Sequence, residues 1–196
     1  MKETKHLSAE YWNNRYHEDK TGWDIGYANN IHVQYVLKNY PKDAKILVPG
    51  AGSAYEVEYL WKQGYINIYA CDFAEEVKNR FLDRVKGFPS NQYIAGDFFL
   101  LNQKFDLVLE QTFFCALDPS LRIDYVKHMH FILKDGGKIF GVLFNMDKPD
   151  GPPYGGSTPE YQSLFTNSFE ILRMEESKES IPQRMGNELI IEFLKK

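Results

Sequence analysis

The chain has 196 residues, enough for one domain with a small appendage rather than two full ones. Its 23 Lys and Arg against 27 Asp and Glu give a net charge of −4, which excludes a protein built to coat nucleic acid; 43% hydrophobic residues exclude disorder. No apolar run reaches the roughly 18–20 residues of a membrane span, no signal peptide is visible, and Cys71 and Cys115 are too few for a disulfide framework, so a cytoplasmic monomer without membrane or nucleic-acid partners is expected. Segment 1–30 reads as a helix and loop whose rings, Tyr11, Trp12, Tyr16 and Trp23, either form a lid or simply pack onto the sheet domain; a lid is expected. Residues 45–48 form a short apolar strand stopped by Pro49 and Gly50. Ser53 and Glu56 have capping-box spacing, and Val57, Leu60 and Trp61 continue a helix to Gly64. A strand over 67–71, a helix over 74–85, and strands over 92–95 and 105–109 come next. A helix over 121–133 leads to Asp135-Gly136-Gly137, which turns into a strand over 138–144. Segment 147–159, rich in Pro and Gly, is a loop placed to serve an active site. After a helix near 160–166, strands over 169–175 and 188–194 are close enough in sequence to pair antiparallel. Nearly all-apolar strands alternating with helices imply a parallel sheet covered on both faces.

Three strand ends carry the residue types of a nucleotide site. Gly50 and Gly52 follow the first strand, where glycines either admit a ligand close to the backbone or simply make the turn. Asp72 ends the second strand, beside Phe73 and 72 − 50 = 22 residues beyond Gly50; it fits either a ribose diol or a helix cap. Asp97 ends the third and fits an adenine amino group flanked by Phe98, or a plain cap. Tyr55 occupies the third small position of a dinucleotide fingerprint, and there is no Walker lysine, which favours a nucleoside without phosphate over a nicotinamide dinucleotide.

A doubly wound sheet closed by an antiparallel hairpin resembles the class I S-adenosylmethionine-dependent methyltransferases: α/β, Rossmann-like, with a seven-stranded, mostly parallel sheet. The motifs are those of one family within the class. They are Tyr11-Trp12-Asn13-Asn14-Arg15-Tyr16, Gly22-Trp23-Asp24-Ile25-Gly26, Leu47-Val48-Pro49-Gly50-Ala51-Gly52, Phe105-Asp106-Leu107-Val108, Phe113-Phe114-Cys115-Ala116, Leu133-Lys134-Asp135-Gly136-Gly137, Gly151-Pro152-Pro153-Tyr154 and Ile181-Pro182-Gln183-Arg184. In these the chain resembles the thiopurine S-methyltransferase family, nearest its halide/thiol branch, over almost its whole length. The resemblance implies a single methyltransferase domain over 1–196. It also implies S-adenosylmethionine binding by Trp12, Trp23, Gly50, Asp72, Asp97 and Phe98, and Tyr16, Gly52, Phe73 and Gln111 are expected as further cofactor contacts. Three positions depart from the pattern: Tyr16 stands for a Trp, Ala51 for a Cys, and Glu110-Gln111 for Asp-Tyr.

Methyl transfer is an in-line displacement that needs alignment and exclusion of water, not a covalent enzyme nucleophile. Arg122 matches a family arginine near the substrate, although a surface arginine at a helix start fits equally. Tyr154 is placed either to wall an acceptor pocket rimmed with Phe113 and Phe114 or to pin the loop to the core. Arg122 and Tyr154 are the catalytic candidates, and the acceptor expected is a small thiol, sulfide, thiocyanate or halide. Another small acceptor, or a domain that binds the cofactor without turnover, is the alternative. His128 and His130 point to different faces of a helix and make no metal pair, Cys115 reads as core, and no metal is expected.

Overall fold

The computed structural model describes residues 8–196. Residues 1–7, part of the expected lid, lie outside the described residues. The chain forms two compact units, Met1–Leu101 and Asn102–Lys196.

In the first unit, α1 (Ala9–His17) is capped by Ser8, whose hydroxyl accepts from the Tyr11 amide. Then come α2 (Asn30–Asn39), β1 (Ile46–Pro49), α3 (Tyr55–Lys62), β2 (Ile68–Asp72), α4 (Glu75–Arg84) and β3 (Tyr93–Ala95). The strands lie in the order β3-β2-β1, all parallel, with Pro49 beside Cys71 and Asp72 beside Ala95. Ile46, Leu47 and Val48 are all buried, which is why β1 reads as a continuous apolar run. The register puts the carboxyl ends of the three strands along one edge. The helix α2 is not among the elements expected from sequence; its buried face, Ile31, His32, Val33 and Val36, includes a histidine that breaks the apolar period. Tyr65 secures the end of that helix by donating to the Val36 and Tyr40 carbonyls.

The capping box does not form. Ala54 takes a left-handed conformation, with φ of 54°, immediately before α3. The Ser53 hydroxyl donates instead to Asp24 at 2.5 Å, and Glu56 accepts from the Asn29 amide at 2.8 Å. Both capping groups are drawn away by the N-terminal segment.

The second unit holds β4 (Phe105–Gln111), α5 (Arg122–Ile132), β5 (Leu133–Phe144), α6 (Thr158–Phe165), β6 (Phe169–Glu176) and β7 (Glu188–Lys195). Their order is β4-β5-β7-β6: β4 and β5 are parallel, and β7 is antiparallel to both neighbours. Asp135-Gly136-Gly137 is not a turn before β5 but lies inside it. Leu133 already pairs with Phe105, and the register then shifts so that Lys138 meets Leu107. Gly136, with φ of 75°, absorbs the excursion. Pro159 falls in the first turn of α6, where no amide partner is lost. The core is aromatic: Phe165 lies 4.7 Å from Phe193, and Phe114 lies 5.0 Å from Tyr125. Cys71 and Cys115 are both buried free thiols. No described helix is long and apolar enough to cross a membrane.

Candidate active site

In the first unit the site is built from the ends of β1 and β2. Gly50 and Gly52 have φ of 58° and 50°, left-handed values that side chains seldom adopt. The loop is held by Tyr93, whose hydroxyl donates to the Gly52 carbonyl at 2.7 Å. The Asp72 carboxylate accepts from the Gly52 amide at 2.8 Å and from the Ala74 amide at 2.9 Å. Asp72 therefore fixes the turn that leads into α4 and ties down the glycine loop, although α4, with Ala74 at its N-cap, has no side-chain cap. Burial raises its pKa, opposed by the amides of Ala74, Gly52 and Phe73. Its oxygens have further lone pairs, so acceptor capacity for a ribose diol remains. Asp97 accepts from the Phe99 amide and caps a short 3-10 turn, Phe98–Leu100; Phe98 is buried, edge-on to Phe99 at 5.3 Å.

The aromatic residues of the N-terminal segment gather on this loop. Trp23 stands edge-to-face with Trp12 at 5.4 Å and with Tyr16 at 5.6 Å, and the Arg15 guanidinium lies 5.5 Å from the Trp23 ring centre. Tyr16 is buried with Ala74 and Val77, and Trp12 and Trp23 pack against that cluster. A Cβ added to Gly52 would lie 2.7 Å from the Tyr16 hydroxyl, so Tyr16 stands directly over the loop. Burial, then the nearby Asp72, push the Tyr16 phenol well above its ordinary range and keep it neutral. Of the cofactor candidates, Trp12, Tyr16, Trp23, Gly52 and Asp72 are thus brought together.

In the second unit, β4 ends in Glu110-Gln111, followed by Thr112 with φ of 57°, a conformation costly for a β-branched residue. Glu110 holds this turn: it accepts from the Phe113 and Phe114 amides, each at 2.9 Å, and from the Tyr125 hydroxyl at 2.5 Å. Burial pushes its pKa up to about 7 against those hydrogen bonds. The Gln111 Oε1 is buried without a hydrogen-bond partner.

A cavity of about 560 Å³ lies in the same unit, lined among others by Arg122, Asn145, Lys148, Tyr154, Ser157 and Glu160. Arg122 begins α5 but is no surface residue, being 5% exposed. Its guanidinium pairs with Glu160, donates to the Gly155 carbonyl at 2.7 Å and lies 4.8 Å from the Phe114 ring centre. Its Nε is buried without a partner. Lys148 donates to the Asp150 and Pro153 carbonyls, and the Tyr154 amide donates to the Cys115 carbonyl. Tyr154 both lines the cavity and packs on Gly151. Phe113 and Phe114 are not in the cavity wall; Phe114 is buried beneath Arg122. Glu160 and the bracing role of Glu110 carry no signal in the sequence, because charged residues read as surface until their burial is seen. Among the described residues no group of His, Cys, Asp and Glu is placed to hold a metal.

Parallel strands ending in a glycine loop and a carboxylate, with the antiparallel β5-β7-β6 arrangement, are the fold of the class I S-adenosylmethionine-dependent methyltransferases, and the family model that matches the chain makes it one of them. The Burkholderia thailandensis 1,6-didemethyltoxoflavin-N1-methyltransferase, solved with S-adenosylhomocysteine, shares the fold. Its TM-score is 0.75 at 18% identity, over 96% of this chain and 87% of that one. The model of the family described as thiopurine S-methyltransferase matches residues 7–193, and the chain belongs to that family. Among its relatives, a probable thiol methyltransferase 2 of Arabidopsis thaliana is 28% identical over 92% of this chain and 83% of its own. The thiocyanate methyltransferase 1 of Brassica oleracea is 27% identical over 90% and 81%.

Proposed function

We propose that the chain methylates a small thiol or another soft anion: hydrosulfide, thiocyanate or a halide. The observation that carries this reading is Arg122, a buried cation on a cavity wall with an Nε–H that no protein group accepts. A weakly hydrated, polarizable anion loses less on entering such a place than a hard oxyanion does. Relatives named for thiols and thiocyanate support the same reading. In it, Asp72 and the Gly50–Gly52 loop, whose backbone a ligand can approach closely, hold the cofactor, with Phe73, Asp97, Phe98 and Gln111 as further contacts. Trp12, Tyr16 and Trp23 cover it and exclude water. When bound, S-adenosylmethionine supplies an activated methyl group with a neutral thioether as leaving group. Arg122 and Tyr154 orient the acceptor, and an acceptor that arrives as an anion needs no base. We also read the protein as a cytoplasmic monomer with no nucleic-acid partner; its net charge of −4 supports the last of these.

The test is product formation across thiol, hydrosulfide, thiocyanate, iodide, catechol and amine acceptors. The sulfur and halide acceptors should react best. For a thiol of ordinary acidity kcat/KM should rise towards pH of about 8.5, while thiocyanate shows no rise from its own ionisation. Methylation of the catechol or amine alone would overturn the acceptor assignment.

A further inference from the structure

Ser53 and Glu56 have the spacing of a helix cap yet neither caps α3, and both turn to the same partner, the stretch from Asp24 to Asn29. The Asp24 carboxylate receives the Ser53 hydroxyl on one oxygen and the Gly26 amide, at 2.7 Å, on the other. Glu56, 8% exposed, receives the Asn29 amide, and Asn29 in turn caps α2 by accepting from the Ile31 amide. Ser53 is itself braced from behind, since Arg84 donates to its carbonyl while pairing with Glu58. One residue away on each side, Trp23 packs against Tyr16, and Tyr16 stands over Gly52. Two adjacent residues of the aromatic segment, Trp23 and Asp24, thus meet two adjacent residues of the glycine loop, Gly52 and Ser53.

We propose that Ser53 and Asp24 are positioning residues that latch the aromatic segment to the cofactor's glycine loop, with the Glu56–Asn29 bond fixing the segment's far end. The proposal rests on the reading of Trp12, Tyr16 and Trp23 as a cofactor cover. The latch gives the sequence a reason to forgo a capping box. A cap would stabilise α3 alone, whereas the same hydroxyl, given to Asp24, makes the loop and its aromatic cover one piece.

A double-mutant cycle tests this with two readouts, neither of them turnover. The first is the dissociation constant of S-adenosylhomocysteine. The second is hydrogen exchange of amides 18–29 in the ligand-free protein. Ser53→Ala and Asp24→Ala should each weaken binding about tenfold, the value of one charge-assisted hydrogen bond. The double variant should be little worse than either single one. Each single variant should also speed exchange over 18–29, and Ser53→Thr, which keeps the hydroxyl, should restore both readouts. Additive losses of about a hundredfold, or exchange unchanged from the wild type, overturn the latch. Faster exchange with an unchanged dissociation constant would sink the cover reading, and the positioning role with it.

Discussion

Asp72 carries two loads at once. It accepts the amides of Gly52 and Ala74, so its removal leaves two part-buried donors without partners in addition to any lost ribose contact. Asp72→Ala should therefore cost about 2–4 kcal/mol in urea denaturation and weaken S-adenosylhomocysteine at least tenfold by calorimetry. Asp72→Asn, which keeps one acceptor oxygen, should lose less of both. A folded Asp72→Ala protein with wild-type affinity would remove the residue from the cofactor site. Gly52 offers a companion test. An alanine there must hold φ near 50° and would place its Cβ 2.7 Å from the Tyr16 hydroxyl. Gly52→Ala should cost about 1 kcal/mol or more of stability, and adding Tyr16→Phe should return the steric part but not the backbone part. Spacing from the glycine loop singled out Asp72 in the sequence. Its dual bonding was not legible there, because ribose-binding and capping aspartates occupy the same place at a strand end.

At the scale of elements, the Pro- and Gly-rich loop is held by the Arg122 guanidinium, which decides how substitutions there should behave. Chemistry alone says Arg122→Lys should be milder than Arg122→Ala, because charge is kept. In the structure, separate guanidinium nitrogens serve Glu160 at the start of α6 and the Gly155 carbonyl on the loop. A lysine ammonium has no such fork and cannot reproduce both contacts over Phe114. Both variants should then lose about 2 kcal/mol of stability and expose 147–159 to protease to similar extents. If Arg122→Lys protects the loop as well as the wild type does, the clamp is a charge effect and the fork is irrelevant. The loop itself was legible from its prolines, and the hairpin from the short stretch between its strands. The helix Asn30–Asn39 and the bulge in β5 were not. A buried histidine hid the period of the first, and Gly136-Gly137 spells a turn as readily as a bulge.

The molecule as a whole keeps carboxyl groups where charge is costly, and this fixes how its stability follows pH. The alternation of apolar strands and helices made the fold readable, because buried parallel strands must be apolar throughout. That same rule conceals the burial of Glu56, Asp72 and Glu110, which raises the pKa of all three. A carboxyl with a raised folded pKa binds its proton more tightly folded than unfolded. The stability it contributes is complete below its ordinary pKa and is lost as pH climbs through the folded value. For Glu110 the window runs from its ordinary 4.5 to about 7. The largest loss this permits is about 3 kcal/mol. Glu58 opposes the trend: despite partial burial, Lys62 and Arg84 hold its pKa down, so its contribution fades only below its ordinary 4.5 and stays out of the window. Glu110→Gln keeps an oxygen for the Phe113 and Phe114 amides and removes the titration. Urea midpoints at pH 4, below the window, should nearly coincide for wild type and variant. At pH 8 the variant should be the more stable, by up to about 3 kcal/mol. Groups common to both proteins cancel in the comparison. Parallel pH profiles would show that Glu110 ionises at no cost to the fold, and that the brace on the Thr112 turn is insensitive to its charge.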